Sequence, residues 1–216
     1  MKKYDHILFD LDGTLTDPAS GITRSVQYSL RKFGIESEPD ELKKFIGPPL
    51  YDSYVEYYGF TKEQAVEAVA YYRELPRDGG AMFDCKVCEG SPELLENLKN
   101  EGVDLIVATS KPLVMADKIL EKFDLAKYFN YVFGCELDGR RTKKEEVIAY
   151  ALENHPVDLS RSIMVGDRLH DINGAHLNGL LAIAVLWGYG SREEFAEYHA
   201  DFVAENASEL VRLLIE

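Results

Sequence analysis

The 216-residue chain is poor in positive charge, with 24 lysines and arginines against 38 aspartates and glutamates. The resulting formal net charge of −14 repels polyanions, so we expect no extended contact with a nucleic-acid polymer. A small anion would need a local positive charge, supplied by a metal ion or by a few fixed donors. The charge balance therefore leaves small anionic ligands open.

The sequence also has few cysteines and lacks a long apolar run. Three cysteines are an odd number, which argues against a disulfide framework. A structural zinc site would need a second pair of ligands beside Cys85 and Cys88, and Cys135 alone does not supply it, so plain thiols are favoured. The longest apolar run, 180–187, is far below the ~20 residues that cross a bilayer. Because Asp10 interrupts the first apolar run, no secretory signal is expected. The sequence predicts a cytoplasmic protein without a membrane partner.

Six short apolar runs have the length and composition of buried strands, and helical patterns separate the later ones. Strand and helix alternating in this way indicate βαβ units and a parallel sheet. The predicted fold class is α/β, with a Rossmann-like parallel-sheet core. The six runs are Ile7–Phe9, Leu105–Ala108, Tyr131–Phe133, Ile163–Val165, Leu181–Leu186 and Phe202–Ala204.

Several helices are predicted from their first residues. Ser91 stands before Pro92 and Glu93, an arrangement typical of a helix start. Three capping-box spacings predict further starts. These spacings are Thr61 to Gln64, Thr142 to Glu145 and Ser191 to Glu194.

One segment departs from the alternation of strand and helix. Residues 21–77 have helical patterns broken at Gly47, Pro48 and Pro49, so we predict an all-helical insert at 17–81 within a core of 1–16 and 82–216. The flanks TDPAS and RDGGAMF have the residues of turns or hinges. Seven of the thirteen tyrosines lie in the insert, where they either present rings to a ligand or fill its own core.

Polar residues follow three of the predicted strands at their carboxyl ends. Asp10 follows the first strand, Thr109 and Ser110 the second, and Asp167 the strand that begins at Ile163. In an open parallel sheet these ends form the crevice in which ligands bind. A lysine of the TKKEE stretch, near a helix start, can join them.

Four carboxylates would then converge, and they would repel one another strongly in a partly dry site. A divalent cation resolves this repulsion. Oxygen ligands completed by water and a phosphate favour Mg²⁺ over zinc. The four residues are Asp10, Asp12, Asp167 and Asp171.

Four stretches resemble, in order, the motifs of the haloacid dehalogenase superfamily. They are DLDGTLT, ATSKP, the lysine of KKEEVIAYAL, and VGDRLHD. The insert after the first motif resembles the cap of the phosphoglycolate phosphatase-like branch. The resemblance covers essentially the whole chain and implies a Rossmann-like core with a mobile helical cap.

The resemblance implies a role for each acid of the first motif. Asp10 would attack phosphorus and become an aspartyl phosphate. Asp12 would give a proton to the leaving oxygen and later take one from water. Gly13 would let the chain turn so that both acids face one phosphate.

The remaining motifs imply phosphate and metal ligands. Thr109, through its hydroxyl, and the Ser110 amide would bind the transferring phosphoryl group, while Lys144, preferred to Lys143, would neutralise its charge. The resemblance assigns Mg²⁺ to the Asp10 carboxylate, the Asp12 carbonyl and Asp167, with Asp171 either as a further ligand or as a residue that orients the ligands.

The implied activity is Mg²⁺-dependent hydrolysis of small-molecule phosphomonoesters, phosphoglycolate phosphatase-like or 5'-nucleotidase-like, by a monomer or homodimer. The substrate would be a small phosphorylated metabolite, because the cap closes over it. Four insert residues are candidates for facing the leaving group, although the basic ones could equally be solvated: Arg24, Lys43, Lys44 and Gly47.

Two alternatives share parts of this chemistry. A phosphomutase of the β-phosphoglucomutase type shares nucleophile and cap, but FIGPPL has Pro48 and Pro49 where such mutases tend to carry a basic residue. A phospho-receiver module would place its aspartate after a middle strand and has no helical insert. His170 either touches the site or is a polar residue near a helix start.

Overall fold

The computed structural model describes residues 2–77 and 80–215, so Asp78 and Gly79 of the predicted RDGGAMF linker lie outside the described residues. The strands are β1 His6–Phe9, β2 Thr16–Asp17, β3 Lys86–Val87, β4 Asp104–Pro112, β5 Tyr131–Cys135, β6 Ser162–Gly166, β7 Leu181–Val185 and β8 Phe202–Ala204. The α-helices are α1 Ala19–Lys32, α2 Leu50–Tyr58, α3 Lys62–Tyr72, α4 Glu74–Arg77, α5 Ser91–Asn100, α6 Leu113–Lys122, α7 Lys144–Asn154, α8 Leu169–Leu177, α9 Arg192–Glu197 and α10 Ala207–Ile215.

The chain divides into two compact units. One consists of residues 1–17 and 87–216, and the other, the helical unit, of Pro18–Lys86. The helical unit extends beyond residue 81, where the sequence analysis ended the insert. Asp84 belongs to this unit because its carbonyl accepts a hydrogen bond from the Gly21 amide (2.9 Å) and its carboxylate pairs with Arg24 (3.1 Å).

The first unit, which we call the core unit, is built on a six-stranded parallel sheet. Its strand order is β5-β4-β1-β6-β7-β8. Phe9 of the inner strand β1 is in register with Val107 of β4 on one side and Val165 of β6 on the other. The predicted α/β fold is therefore confirmed, and the ends of β1, β4 and β6 lie side by side.

Strand β1 lies inside the core, because Ile7, Leu8 and Phe9 are all fully buried. Burial on both faces explains the continuous apolar run, which is typical of a parallel sheet covered by helices. Leu8 belongs to a cluster with Ile148 of α7 and Ile172 of α8. The helices that carry two of the predicted motifs are thus packed onto the same sheet.

Two of the predicted capping boxes begin helices as expected. Thr61 accepts the Gln64 amide (3.3 Å) and Gln64 accepts the Thr61 amide (3.0 Å) at the start of α3. Ser191 accepts the Glu194 amide (3.2 Å) at the start of α9. These hydrogen bonds satisfy backbone donors that have no partner inside a helix.

The predicted box from Thr142 to Glu145 is wrong by one residue. Helix α7 begins at Lys144, and the Lys143 amide donates to the Glu146 carboxylate (3.4 Å). Lys143 is not a residue type that caps helices, because its ammonium cannot accept an amide, so the local pattern gives no sign of this start.

The helical unit has a small aromatic core of its own. The Tyr54 ring is fully buried, stacks on Phe60 with centroids 5.7 Å apart, and meets Phe45 edge-on at 5.1 Å. Tyr57 and Tyr58 also contact the Phe45 ring. For these three tyrosines the core-filling interpretation therefore holds.

Across the part of the chain that the structure describes, no helix is both long and apolar enough to cross a lipid bilayer.

We expect Leu8→Ala to destabilise the protein, since deleting a buried leucine side chain costs ~3 kcal/mol in lost burial and cavity formation. Leu177→Ala is the matched control, because Leu177 is 73% exposed and the change should cost less than ~0.5 kcal/mol. Urea unfolding of both variants measures the difference. Equal midpoints would contradict the placement of β1 inside the core.

Candidate active site

Asp10 lies at the centre of the carboxyl edge of the sheet. It directly follows β1, it is 5% exposed, and its amide donates to the Val165 carbonyl of β6 (2.9 Å). The backbone bond continues the parallel pairing of β1 with β6 for one more residue. A carboxylate is thereby held where water is scarce.

The loop after Asp10 turns tightly at Gly13. Gly13 has a φ of +91°, a conformation that side chains disfavour, and its amide donates to the Thr16 carbonyl (2.6 Å). A Cβ atom at Gly13 would also overlap the Asp167 carboxylate. Glycine is therefore required here by both conformation and space.

The Lys144 ammonium joins three parts of the core unit. Its Nζ lies 2.6 Å from Asp10 Oδ1 and 2.9 Å from Asp171 Oδ1, and it donates to the Ala108 carbonyl of β4 (3.0 Å). Burial disfavours its charge, but the attraction of Asp10 and Asp171 outweighs burial and raises the pKa of Lys144. Lys143 is exposed, so of the two candidate lysines only Lys144 reaches these acids.

Asp167 and Asp171 are fixed by backbone donors. Asp171 Oδ2 accepts the amides of Asp167 (3.1 Å) and Arg168 (3.0 Å). Asp167 is fully buried, and it accepts the Tyr189 amide (2.7 Å) and the Thr14 hydroxyl (3.5 Å). Both carboxylates are therefore oriented before any ligand arrives.

Asp12 has a cationic partner that the sequence analysis did not single out. Lys111 Nζ lies 2.5 Å from Asp12 Oδ2, and both side chains are mostly buried. Lys111 belongs to the motif ATSKP, so this motif could have identified it. Roles were predicted only for the two hydroxyl residues of the motif, Thr109 and Ser110.

Thr109 lies beside this group at the end of β4. It is 2% exposed, and its hydroxyl accepts the Lys111 amide (3.2 Å). It follows Ala108, whose carbonyl accepts Lys144, so its backbone adjoins the buried ion pairs. Ser110 follows and is half-buried.

Burial perturbs the acids of the site. It is the main reason that the pKa values of Asp10 and Asp12 are raised, although Lys144 and Lys111 oppose the shift. The pKa of Asp167 is raised well above its ordinary value, first by burial and then by the charges of Asp171 and Asp10. Two ammonium groups therefore do not neutralise the four carboxylates.

The donor set fits a hard divalent cation. Asp10, Asp167 and Asp171 each offer a carboxylate oxygen, and these atoms lie within 4.8 Å of one another. The Oδ1 atoms of Asp10 and Asp171 share the Lys144 ammonium as their donor, and Asp12 Oδ1 is buried and accepts no hydrogen bond. Carboxylate oxygens that outnumber their donors are the ligands that Mg²⁺ uses, together with water.

Several further contacts around these acids were not predicted. The Trp187 indole donates to the Thr14 carbonyl (2.9 Å), and the Tyr189 hydroxyl bonds Asp17. No local sequence signal marks these residues, because β7 brings them to the site from far along the chain.

Burial, followed by the nearby cations Arg168 and Lys144, lowers the pKa of His170 and favours a neutral imidazole.

The four candidate specificity residues lie in the helical unit. Arg24 pairs with Asp84 (3.1 Å) and Lys43 with Asp40 (2.8 Å). Lys44 lies over the Tyr57 ring (4.8 Å), and Gly47 has a φ of +101°. The partners of the three cations are those of ordinary surface residues, and a role in specificity stays a prediction.

Cys85, Cys88 and Cys135 form no disulfide with one another. Among the described residues, the side-chain clusters that could hold a metal ion contain no cysteine. Plain thiols stay a prediction. Burial, with the acids Asp17, Asp167 and Asp12, raises the pKa of Cys88 to about 12, which makes it a poor nucleophile.

Known proteins resemble this chain in sequence and in fold. The sequence model of the haloacid dehalogenase-like hydrolases matches residues 7–185. A 5'-nucleotidase of Pseudomonas aeruginosa is 47% identical over 94% of each chain. The tyrosine-protein kinase PtkA of Mycobacterium tuberculosis is 36% identical over 96% of this chain and 70% of its own length. The crystal structure of a predicted phosphatase from Clostridium acetobutylicum superposes with a TM-score of 0.94, at 46% identity over 97% of each chain.

Asp167→Asn tests the balance of charge at the site. A pKa above that of the unfolded chain means that the folded protein binds the proton more tightly, so stability falls as pH rises from about 4 toward the folded-state pKa. In EDTA at neutral pH we therefore expect the variant to melt at a higher temperature than the parent, with a difference that shrinks in acid. Mg²⁺ should raise the melting temperature of the parent but not that of Asp167→Asn.

The matched control is Asp124→Asn, since Asp124 is an exposed turn residue with a φ of 57°, which asparagine tolerates. It should follow the parent with and without Mg²⁺. Equal stabilisation of the parent and Asp167→Asn by Mg²⁺ would exclude Asp167 as a ligand.

Proposed function

Because the chain belongs to the haloacid dehalogenase-like hydrolases and is one of their phosphatases, we propose that it hydrolyses small-molecule phosphomonoesters through a phosphoryl group carried on Asp10, with Mg²⁺ as cofactor. The observation that carries the proposal is the Lys144 ammonium, which contacts both Asp10 and Asp171 at the carboxyl edge of the sheet. These contacts favour an ionised Asp10 in spite of burial.

In the proposed first step an Asp10 carboxylate oxygen attacks phosphorus, and the bond from phosphorus to the leaving oxygen breaks. Lys144 neutralises charge on the phosphoryl oxygens, and the Thr109 hydroxyl and the Ser110 amide donate hydrogen bonds to them. All three groups belong to segments whose backbone or side chains lie beside Asp10. They would be in place before the substrate binds.

Asp12 suits the proton transfers of both steps. Burial raises its pKa, which favours the protonated acid that the leaving oxygen needs, while Lys111 opposes that shift and eases return to the carboxylate. We propose that Asp12 gives its proton to the leaving oxygen. It then takes a proton from the water that attacks phosphorus and releases Asp10.

The residues proposed to hold Mg²⁺ are Asp10, Asp167, Asp171 and the Asp12 carbonyl. When bound, the ion would supply the positive charge that the four carboxylates and the phosphoryl group lack. Backbone amides hold the carboxylates of Asp167 and Asp171 in fixed orientations. These carboxylates would therefore bind the ion without having to reorient first.

Because of the family resemblance, we assign the helical unit Pro18–Lys86 as the cap. Closure over the substrate would exclude bulk water and limit the size of the leaving group. Arg24, Lys43, Lys44 and Gly47 stay the candidates for contacting that group.

A substrate panel tests the proposed activity. With Mg²⁺ we expect phosphate release from nucleoside 5'-monophosphates or 2-phosphoglycolate, with the former favoured by the identity to a 5'-nucleotidase, and no release in EDTA until Mg²⁺ is restored. Glucose 1-phosphate is included because a mutase would convert it to glucose 6-phosphate. A tyrosine peptide with ATP is included because of the kinase relative. Undiminished hydrolysis in EDTA, or net transfer instead of release, would overturn the proposal.

Asp10→Asn tests the nucleophile. Because the change removes the attacking oxygen's charge at constant size, turnover should fall by at least ~10³-fold, or ~4 kcal/mol of activation free energy. Steady-state phosphate release measures the loss. Asp124→Asn is again the matched control, and it should keep the parent rate. A variant at position 10 with near-parent turnover would show that another group attacks phosphorus.

A further inference from the structure

A second cluster of metal-ligating side chains lies at the amino edge of the same sheet. His6 begins β1, Asp104 begins β4, and the two residues are partners in the parallel register. His155 follows the last residue of α7. Strand β1 separates this cluster from Asp10 by four residues, about 13 Å of extended chain, so the two sites are distinct.

The three side chains meet at one carboxylate oxygen. Asp104 Oδ2 lies 3.0 Å from His6 Nδ1 and 2.6 Å from His155 Nε2. The ligand atoms of the cluster all lie within 4.8 Å of one another. Because a carboxylate oxygen only accepts, the imidazole nitrogen that faces it must carry the proton, which fixes the tautomer of each ring.

Hydrogen bonding alone leaves the cluster incomplete. Asp104 Oδ1 is buried and accepts no hydrogen bond, although such an atom is costly to leave unpaired. Among the described residues the ion pairs of Asp104 involve only the two imidazoles. A carboxylate with an unsatisfied oxygen between two imidazoles has the composition of a metal site.

We propose that His6, Asp104 and His155 bind a Zn²⁺-like transition-metal ion. Imidazole nitrogen with one carboxylate oxygen suits such ions, whereas the all-oxygen cluster around Asp10 suits Mg²⁺. Ligand atoms in a tetrahedral zinc site stand about 3.3 Å apart, as follows from bonds of about 2.0–2.1 Å. The observed distances of 3.0 and 2.6 Å are within about 0.7 Å of that spacing.

The surroundings of the cluster fit this assignment. The three side chains are 24%, 18% and 23% exposed, so an ion can enter from solvent and water can complete its coordination. The Tyr131 ring packs on His155 with centroids 4.1 Å apart and limits its rotation. On binding, the proton of each imidazole shifts from the ligating nitrogen to the other ring nitrogen.

Such an ion would fasten three distant segments of the chain. It would link the starts of β1 and β4 to the end of α7, the helix whose first residue is Lys144. Because the unfolded chain does not hold these groups together, binding would stabilise the folded core unit.

Calorimetric titration of the untagged, metal-stripped full chain with Zn²⁺ tests the proposal, with excess Mg²⁺ present to fill the acidic cluster. His155→Gln and His6→Gln keep a hydrogen-bond donor but remove a ligand. They should weaken Zn²⁺ binding by more than ~100-fold, since even outer partners of a metal site are worth ~10–100-fold in affinity. Saturating Zn²⁺ should raise the parent melting temperature by ~5 °C or more.

The matched control is His176→Gln, because His176 is hydrogen-bonded to Asp201 (2.9 Å) in a similarly exposed pair without a second imidazole. It should bind Zn²⁺ like the parent. Co²⁺ absorption of the parent gives a readout that needs no variant, and intense visible bands of a four- or five-coordinate ion are expected. Equal Zn²⁺ affinity of the parent and His155→Gln, or a purely octahedral Co²⁺ spectrum, would overturn the site.

Discussion

The structure of the core unit depends on how four carboxylates are kept together at one edge of a sheet. Burial alone would protonate or separate Asp10, Asp12, Asp167 and Asp171, because a charge in a dry interior is costly. Lys144 opposes this cost by contacting Asp10 and Asp171 at once. Lys111 does the same for Asp12, and backbone amides do so for Asp167.

The order of the strands makes this arrangement possible. Because β1 lies between β4 and β6, the residues that follow these strands are neighbours although they are far apart in sequence. Small residues then leave room for the acids. A side chain at Gly166 would overlap Asp171, and one at Gly13 or Gly188 would overlap Asp167. The acids thus fit because the facing positions of adjoining segments are glycines, which have no side chain.

Much of the fold and part of the site could be predicted from local patterns. The apolar runs and their alternation with helices fix the parallel sheet, and the rule that ligands bind at carboxyl ends brings Asp10 and Asp167 to one edge. The start of α7 could not be placed from its capping pattern, because Lys143, which precedes the helix, is not a residue type that caps helices.

Other features depend on contacts with no local signal. Tyr189 contacts Asp167 from a position that no local pattern marks, whereas Lys111, the partner of Asp12, belongs to the motif ATSKP. The cluster of His6, Asp104 and His155 is likewise assembled only by the register of β1 with β4 and by the end of α7. The rule that ligands bind at the carboxyl ends of parallel strands gives no expectation for their amino ends.

The central claim is that carboxylates from distant segments meet around a single divalent cation. A crystal structure of the protein loaded with Mn²⁺, with the ion located by its anomalous scattering, tests this most directly. The account predicts a peak about 2.0–2.3 Å from carboxylate oxygens of both Asp10 and Asp167. An edge of the sheet without such a peak, with the two carboxylates turned away from each other, would contradict it.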